Sequence, residues 1–238
     1  MQFYFIRHAQ SLNNALWDNG NMEERSEDPG LTDTGKQQAD LLANFLQRGH
    51  PAGGNGSGLE GEGGFGITHL YCSLMVRAAS TGTAVSNVLE LPLVAWKDFH
   101  EWGGIYNKDS ETREYIGNPG NPRSYFETHF PELVLPEDLG EEGWWNRPFE
   151  AREERPTRAA RVMQELLDRH ADTEDRVVVI SHGGFFKHFL SLFLQVPYVE
   201  GYWIWMHNTA ITRIDITPEN NDLIYVNRTS HLPVSLLT

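Results

Sequence analysis

Apolar and polar positions along this chain follow two periods, one of strands and one of helices. Phe3-Tyr4-Phe5-Ile6 is an unbroken apolar run that stops at Arg7-His8 and gives way to a mostly polar stretch through Asn14. A short run bounded in this way predicts a buried strand. From Lys36 to Gln47, Ala39, Leu42, Phe45 and Leu46 recur at helical spacing and predict a helix with one buried face. Ile67 to Tyr71 predicts a second strand, Val76 to Leu89 the helix after it, and Val94-Ala95-Trp96 a third short strand. Pro156 suits the first position of a helix, and Ala159, Val162, Met163, Leu166 and Leu167 then form an apolar stripe ending near His170. Arg176 to Ile180 is β-branched without alternation, as in a strand covered on both faces. Phe185 to Val196 is apolar nearly all round and predicts a deeply packed helix. His207 to Ile216 and Leu223 to Asn227 predict two closing strands.

Strands alternating with helices predict an α/β fold, a three-layer α/β/α sandwich around a mostly parallel central sheet. Two segments break the pattern. Residues 53–66 hold eight glycines in fourteen positions and predict a flexible surface loop. Residues 98–155 are rich in Gly, Pro, acidic and aromatic residues without sustained periodicity, and predict a lid-like excursion inserted over the active-site face. A length of 238 residues suits one domain, 1–238, carrying both segments as insertions.

Composition narrows the function classes. The formal net charge of -14 opposes nonspecific binding to nucleic acid or to an anionic membrane, because phosphate backbones attract basic surfaces. It leaves room for a small phosphorylated substrate, since arginines in a cleft set the field there. The single cysteine, Cys72, excludes an internal disulfide, and no Cys-x-x-Cys pair is present for structural zinc. No apolar stretch approaches the roughly 20 residues that span a bilayer, and the N-terminus lacks the order of a signal peptide. A soluble cytoplasmic protein is expected; nothing in the sequence fixes its oligomeric state.

The candidate chemistry sits at two strand ends. Residues just past the C-terminal end of a strand in an open α/β sheet face the crevice where ligands bind. Arg7-His8 occupies one such place and Ser181-His182-Gly183-Gly184 another. Arginine suits bidentate recognition of phosphate or carboxylate, and imidazole can serve as nucleophile, base or acid.

Further motifs follow in order: Ser11 and Asn14; Leu31-Thr32-Asp33-Thr34-Gly35 with Gln38-Ala39; Cys72-Ser73 with Arg77-Ala78; Glu101 before Gly103-Gly104; Asn208-Thr209; and His231-Leu232. With these the chain resembles the histidine phosphatase superfamily, the phosphoglycerate-mutase-like enzymes, whose Arg-His-Gly hallmark reads Arg7-His8-Ala9 here. The resemblance spans most of the chain and leaves residues 53–66 and 108–150 unmatched. It implies that His8 is the nucleophile that becomes phosphohistidine, and that Arg7, Arg77 and His182 clamp the phosphoryl oxygens. It implies Glu101, among the aromatic neighbours Phe99, Trp102 and Tyr106, as general acid and then base. Asn14 and Ser11 are implied at the substrate phosphoryl group, and Gly183 as the residue that lets backbone approach it. Neither a metal nor a cofactor is implied.

Within that family the same pocket serves hydrolases and mutases. Mutases carry a Gly-Leu-Asn-Lys run after the acid glutamate and a later pair of adjacent arginines. Here Gly104-Ile105-Tyr106-Asn107-Lys108 matches the first only loosely, and the excursion lacks the second. The expectation is therefore a phosphatase acting on a small phosphomonoester, with a cofactor-dependent phosphoglycerate mutase as the alternative. Two other classes compete: a non-catalytic phospho-ligand binding module, and a hydrolase whose His8, His182 and Glu101 hold a divalent metal. Tyr106, Lys108, Arg113, Arg123, Trp144 and Trp145 lie in the excursion, where contact with substrate and packing of the lid look alike in sequence.

Overall fold

The computed structural model describes residues 1–49, 64–196, 201 and 204–238. Its first elements are strand β1 (Gln2–Arg7), helices α1 (Leu12–Asp18) and α2 (Asp33–Arg48), strand β2 (His69–Cys72), helix α3 (Val76–Leu89) and strand β3 (Leu93–Ala95). The excursion follows, with strands β4 (Tyr106–Lys108) and β5 (Tyr115–Gly117), helix α4 (Arg123–His129) and strand β6 (Leu133–Val134). Helix α5 (Glu154–His170), strand β7 (Arg176–Ser181), helix α6 (Gly183–Phe193) and strands β8 (Ile211–Ile216) and β9 (Asn221–Arg228) complete the order.

Seven strands form one sheet in the order β6-β3-β2-β7-β1-β8-β9. The first five run parallel, and β8 and β9 close the edge antiparallel. Side chains alternate across this sheet as a pleat requires. Tyr4, Ile6, Val178 and Ile180 pack under α2 and α3, whereas Phe3, Phe5, Val177 and Val179 pack under α5 and α6. The three-layer α/β/α fold with a mostly parallel sheet is thus the one the pattern predicts. Among the described residues, no helix is long and apolar enough to cross a membrane.

Several boundaries differ for physical reasons. Residues 207–210 are not strand; they form a turn in which Thr209 adopts φ 57°, and the strand starts at Ile211. Helix α5 begins two residues before Pro156, and α6 begins at Gly183 rather than Phe185 and ends at Phe193. Most of the predicted 53–66 loop lies outside the described residues. Its last part is packed: Phe65 is 1% exposed, lies edge-on to Tyr4 and Phe45, and donates its amide to Leu46 O. The excursion carries its own apolar contacts, with Ile105, Phe126, Leu139, Trp144 and Trp145 buried in the α2/α3-side core.

Candidate active site

The parallel pairing of β1 with β7 sets Arg7 opposite Ser181, so the residues that follow, His8 and His182, emerge side by side from the C-terminal ends of adjacent strands. Their rings lie 5.1 Å apart between centroids. The backbone around His8 is tied on every side. Its amide donates to Ser181 O at 2.9 Å, its carbonyl accepts from Asn208 Nδ2 at 2.8 Å, and Thr209 N donates to Arg7 O at 3.0 Å. The 207–210 turn misread as strand is what holds the end of β1.

The Leu31 to Gln38 motif braces the same loop from below. Gln38 Oε1 accepts from Gln10 N at 2.8 Å, and the Thr32 hydroxyl caps α2 at Gly35 N. A Cβ at Gly35 would fall 2.1 Å from Gln10 O, so glycine is what lets the start of α2 approach this loop. These motif residues support the site from outside it.

His8 is 3% exposed. Its Nδ1 pairs with Ala9 O at 2.7 Å, which fixes the proton there because a carbonyl only accepts. Nε2 therefore bears the lone pair, and Arg77 Nε donates to it at 3.1 Å. Burial, then the charges of Arg77 and Arg7, hold the imidazole well below the usual histidine range, so it stays neutral.

Arg77 stands in the first turn of α3, buried, with Nη1 3.9 Å from Asp28 Oδ1 and Nη2 against Met75 Sδ. A cation at a helix N-terminus is unfavourably placed against the helix dipole unless an anion accompanies it. Asp28 is that partner. It also accepts from Val76 N at 3.0 Å and Asn121 Nδ2 at 3.2 Å, and burial pushes its carboxyl up to about 7 against the pull of Arg77.

Arg7 donates Nη1 to Met206 O and lies beside Gly183. Burial pushes its guanidinium down to about 10, with Glu101 opposing.

His182 is fully buried and stands at the N-cap position of α6, with no side-chain bond to the helix. Its Nε2 lies 2.6 Å from Ser73 Oγ, and Ser73 Oγ also accepts from Met75 N. A hydroxyl that accepts there is free to give its proton to Nε2, which leaves Nδ1 carrying hydrogen. That Nδ1 has no partner among the described residues, and a buried donor of this kind calls for an acceptor.

Glu101 reaches the same end of the sheet from the excursion. Its Oε2 accepts from Gly184 N at 3.0 Å and its Oε1 from Trp102 N at 2.8 Å. The loop that presents it is gripped on both sides. Arg158 forks onto Glu150 at 2.5 and 2.9 Å and donates to the carbonyls of Asp98 and His100, while Glu150 Oε2 accepts from Gly103 N.

Of the two glycines after His182, the second is the one the protein's own packing requires. A Cβ at Gly183 would meet only Arg7 at an ordinary 3.7 Å, whereas one at Gly184 would fall 2.0 Å from Trp102 Cδ1 and 2.3 Å from Glu101 Oε1. Close approach is required at Gly184. Ser11 is 1% exposed and caps α1, bonded to Asn14 N and Asn14 Oδ1. Asn14 Oδ1 also accepts from Asn208 Nδ2 at 3.3 Å.

Sequence reasoning passed over Asp28, the Glu150–Arg158 pair and Arg25, and met Ser73 only as part of a motif, without its bond to His182. Arg25 lies 4.6 Å over the Tyr106 ring, donates to its hydroxyl at 3.1 Å, and is near enough to Arg77 to oppose its charge. Of the excursion candidates, Trp144 and Trp145 are packing residues, and Arg123 holds the carbonyls of Pro136 and Leu139.

Donor atoms of His8, His182 and Glu101 do not gather as a metal-ligand set. Among the described residues such a group occurs at His69, His170 and Asp175, where His69 begins β2 and Asp175 precedes β7, at the opposite end of the sheet. Hydrogen bonds account for that group, with His170 held by Asp175 at 2.8 Å and by Tyr71 at 3.0 Å.

A sequence profile of the histidine phosphatase superfamily (branch 1) matches residues 61–229. No match occurs among curated protein sequences. Among solved structures, phosphoserine phosphatase from Entamoeba histolytica, in complex with 3-phosphoglyceric acid, aligns with a TM-score of 0.59 at 17% identity, over 98% of this chain and 99% of that one. YhfR of Bacillus stearothermophilus aligns at 0.59 and 18%, over 97% and 98%. The α-ribazole phosphatase of Shigella flexneri aligns at 0.59 and 16%, over 96% of each chain.

Proposed function

The chain belongs to the histidine phosphatase superfamily, and from that premise we propose that it is a phosphatase that hydrolyses a small phosphomonoester through a phosphohistidine on His8. The observation that carries this reading is the state of His8: neutral, its Nδ1 proton held on Ala9 O, its Nε2 lone pair turned to the Arg77 guanidinium.

In the first step Nε2 forms a bond to phosphorus as the bond to the alcohol oxygen breaks, and Glu101 gives that oxygen its proton. In the second, Glu101 takes a proton from water, whose oxygen attacks phosphorus and releases the imidazole. Splitting one displacement into two is the advantage of a covalent nucleophile. Arg7, Arg77, the Nδ1–H of His182 and the amide of Asn14 bind the equatorial oxygens. Arg77 exchanges its contact with Nε2 for one with a phosphoryl oxygen, and Asp28 keeps it in place. Charge spread over those oxygens in the transition state is what such prepositioned donors stabilise. The cluster of guanidinium groups disfavours a bound cation, which weighs against metal-assisted hydrolysis.

The test combines p-nitrophenyl phosphate with 3-phosphoglycerate primed by 2,3-bisphosphoglycerate. Phosphate release from the aryl ester, unchanged by a chelator, is expected. Isomerisation of the phosphoglycerate with little release makes the protein a mutase, and loss of activity with chelator that zinc restores makes it a metalloenzyme. Binding of phosphate without turnover of either substrate makes it a binding module.

A further inference from the structure

A cleft of about 340 Å³ is lined by Trp102, Tyr115, Phe149, Arg152, Arg155 and Lys187. Its place follows from contacts already described. Trp102 adjoins Glu101 in sequence and packs against Gly184 at the start of α6, and Lys187 follows Gly184 by about one helical turn on that helix. Two lining residues connect the cleft to the carboxyl assigned to protonate the leaving oxygen: the Trp102 ring meets Glu101 Oε1 over Gly184, and Arg155 feels the Glu101 charge.

Its chemistry departs from that of the whole chain. In a protein of net charge -14, three of the six lining residues are cations and none is an acid. Arg155 is 8% exposed, with its guanidinium 4.6 Å over the Trp102 ring. Its Nε has no hydrogen-bond partner among the described residues, and the Glu150 carboxylate lies 3.9 Å away. Aromatic walls keep the local dielectric low, which strengthens the attraction of these cations for an anion. The volume falls in the range of small-molecule sites, about 300–1,000 Å³.

We infer that this cleft holds a second anionic group on the alcohol part of the substrate, so that the protein acts on phosphomonoesters whose alcohol carries a carboxylate or a further phosphate. The inference rests on the reading of Glu101 as the acid that faces the leaving oxygen. Arg155 and Arg152 offer the fork that either anion accepts in bidentate fashion, and Lys187 offers a point charge.

Calorimetry with phosphonates tests the cleft without requiring turnover. An alkylphosphonate is compared with ω-carboxyalkyl phosphonates and with alkane bisphosphonates, each with two to five carbons between the groups; the two charged series separate a carboxylate site from a phosphate site. At least one ligand with the second anionic group should bind at least about tenfold more tightly than the alkylphosphonate of matched length. In the double variant Arg152→Met, Lys187→Met, which leaves the stack of Arg155 on Trp102 intact, that ratio should fall. Equal affinity of the alkylphosphonate and both doubly anionic series for the natural protein overturns the inference, as does a ratio that the double variant leaves unchanged. Failure of the phosphatase reading is seen separately, as absence of phosphate release from the aryl ester.

Discussion

Replacing His8 with alanine should lower kcat for p-nitrophenyl phosphate by at least about 10⁴-fold, a scale measured when a member of a covalent catalytic unit is lost. The variant should stay folded, because the ring's own bonds are those to Ala9 O and Arg77, while the backbone at His8 is held independently by Ser181, Asn208 and Thr209. It should still bind phosphate through Arg7, Arg77 and His182. Steady-state kinetics with calorimetry of phosphate binding checks both parts. A variant with more than about a tenth of the natural rate would remove His8 from the nucleophile's role. The pH profile offers an internal control. Since burial and two arginines keep His8 neutral well below the ordinary histidine range, activity should not decline as pH falls through 6.5 on account of the nucleophile.

Replacing Glu101 with glutamine should lower kcat by about 10²- to 10⁴-fold for an alkyl phosphate, the range of general acid–base catalysis. The loss should depend on the leaving group. Nitrophenolate departs without a proton, so phosphoryl transfer from the aryl ester survives while hydrolysis of phosphohistidine, which needs the base, does not. Stopped-flow measurement should show a burst of about one equivalent of nitrophenolate per protein, followed by slow turnover. Glutamine retains an acceptor for one of the Gly184 and Trp102 amides, and the loop keeps its grip from Arg158 on His100 O and from Glu150 on Gly103 N. A loss of equal size for aryl and alkyl esters, with no burst, would assign Glu101 to structure alone.

The sheet was legible because its central strands are uninterrupted. Val177 to Ile180 and Phe3 to Ile6 are covered on both faces, so their apolar runs are continuous and their ends mark the site unambiguously. Arg77 was legible from its motif, at the start of the helix that Val76 to Leu89 predicts. What balances it was not: Asp28 meets Val76 and Asn121, 48 and 93 positions away. Ser73 likewise meets His182 across 109 positions.

The same limit explains the glycines. Gly183 and Gly184 look alike in sequence, and only Trp102 and Glu101, brought in from the excursion, make the second one sterically necessary. The excursion itself escaped periodicity because its elements are two to seven residues long and are joined by aromatic and ionic contacts rather than by an apolar stripe. Its grip on Glu101 comes from Arg158 on α5, beyond the end of the segment.

The covalent intermediate is the centre of this account, and Glu101→Gln is the form of the protein in which it should accumulate. Mixing that variant with p-nitrophenyl phosphate, quenching in alkali, where phosphohistidine survives, and mapping the peptides by mass spectrometry should place one phosphoryl group on His8. Phosphate released with no labelled protein, or a phosphoryl group on any residue other than His8, would contradict it.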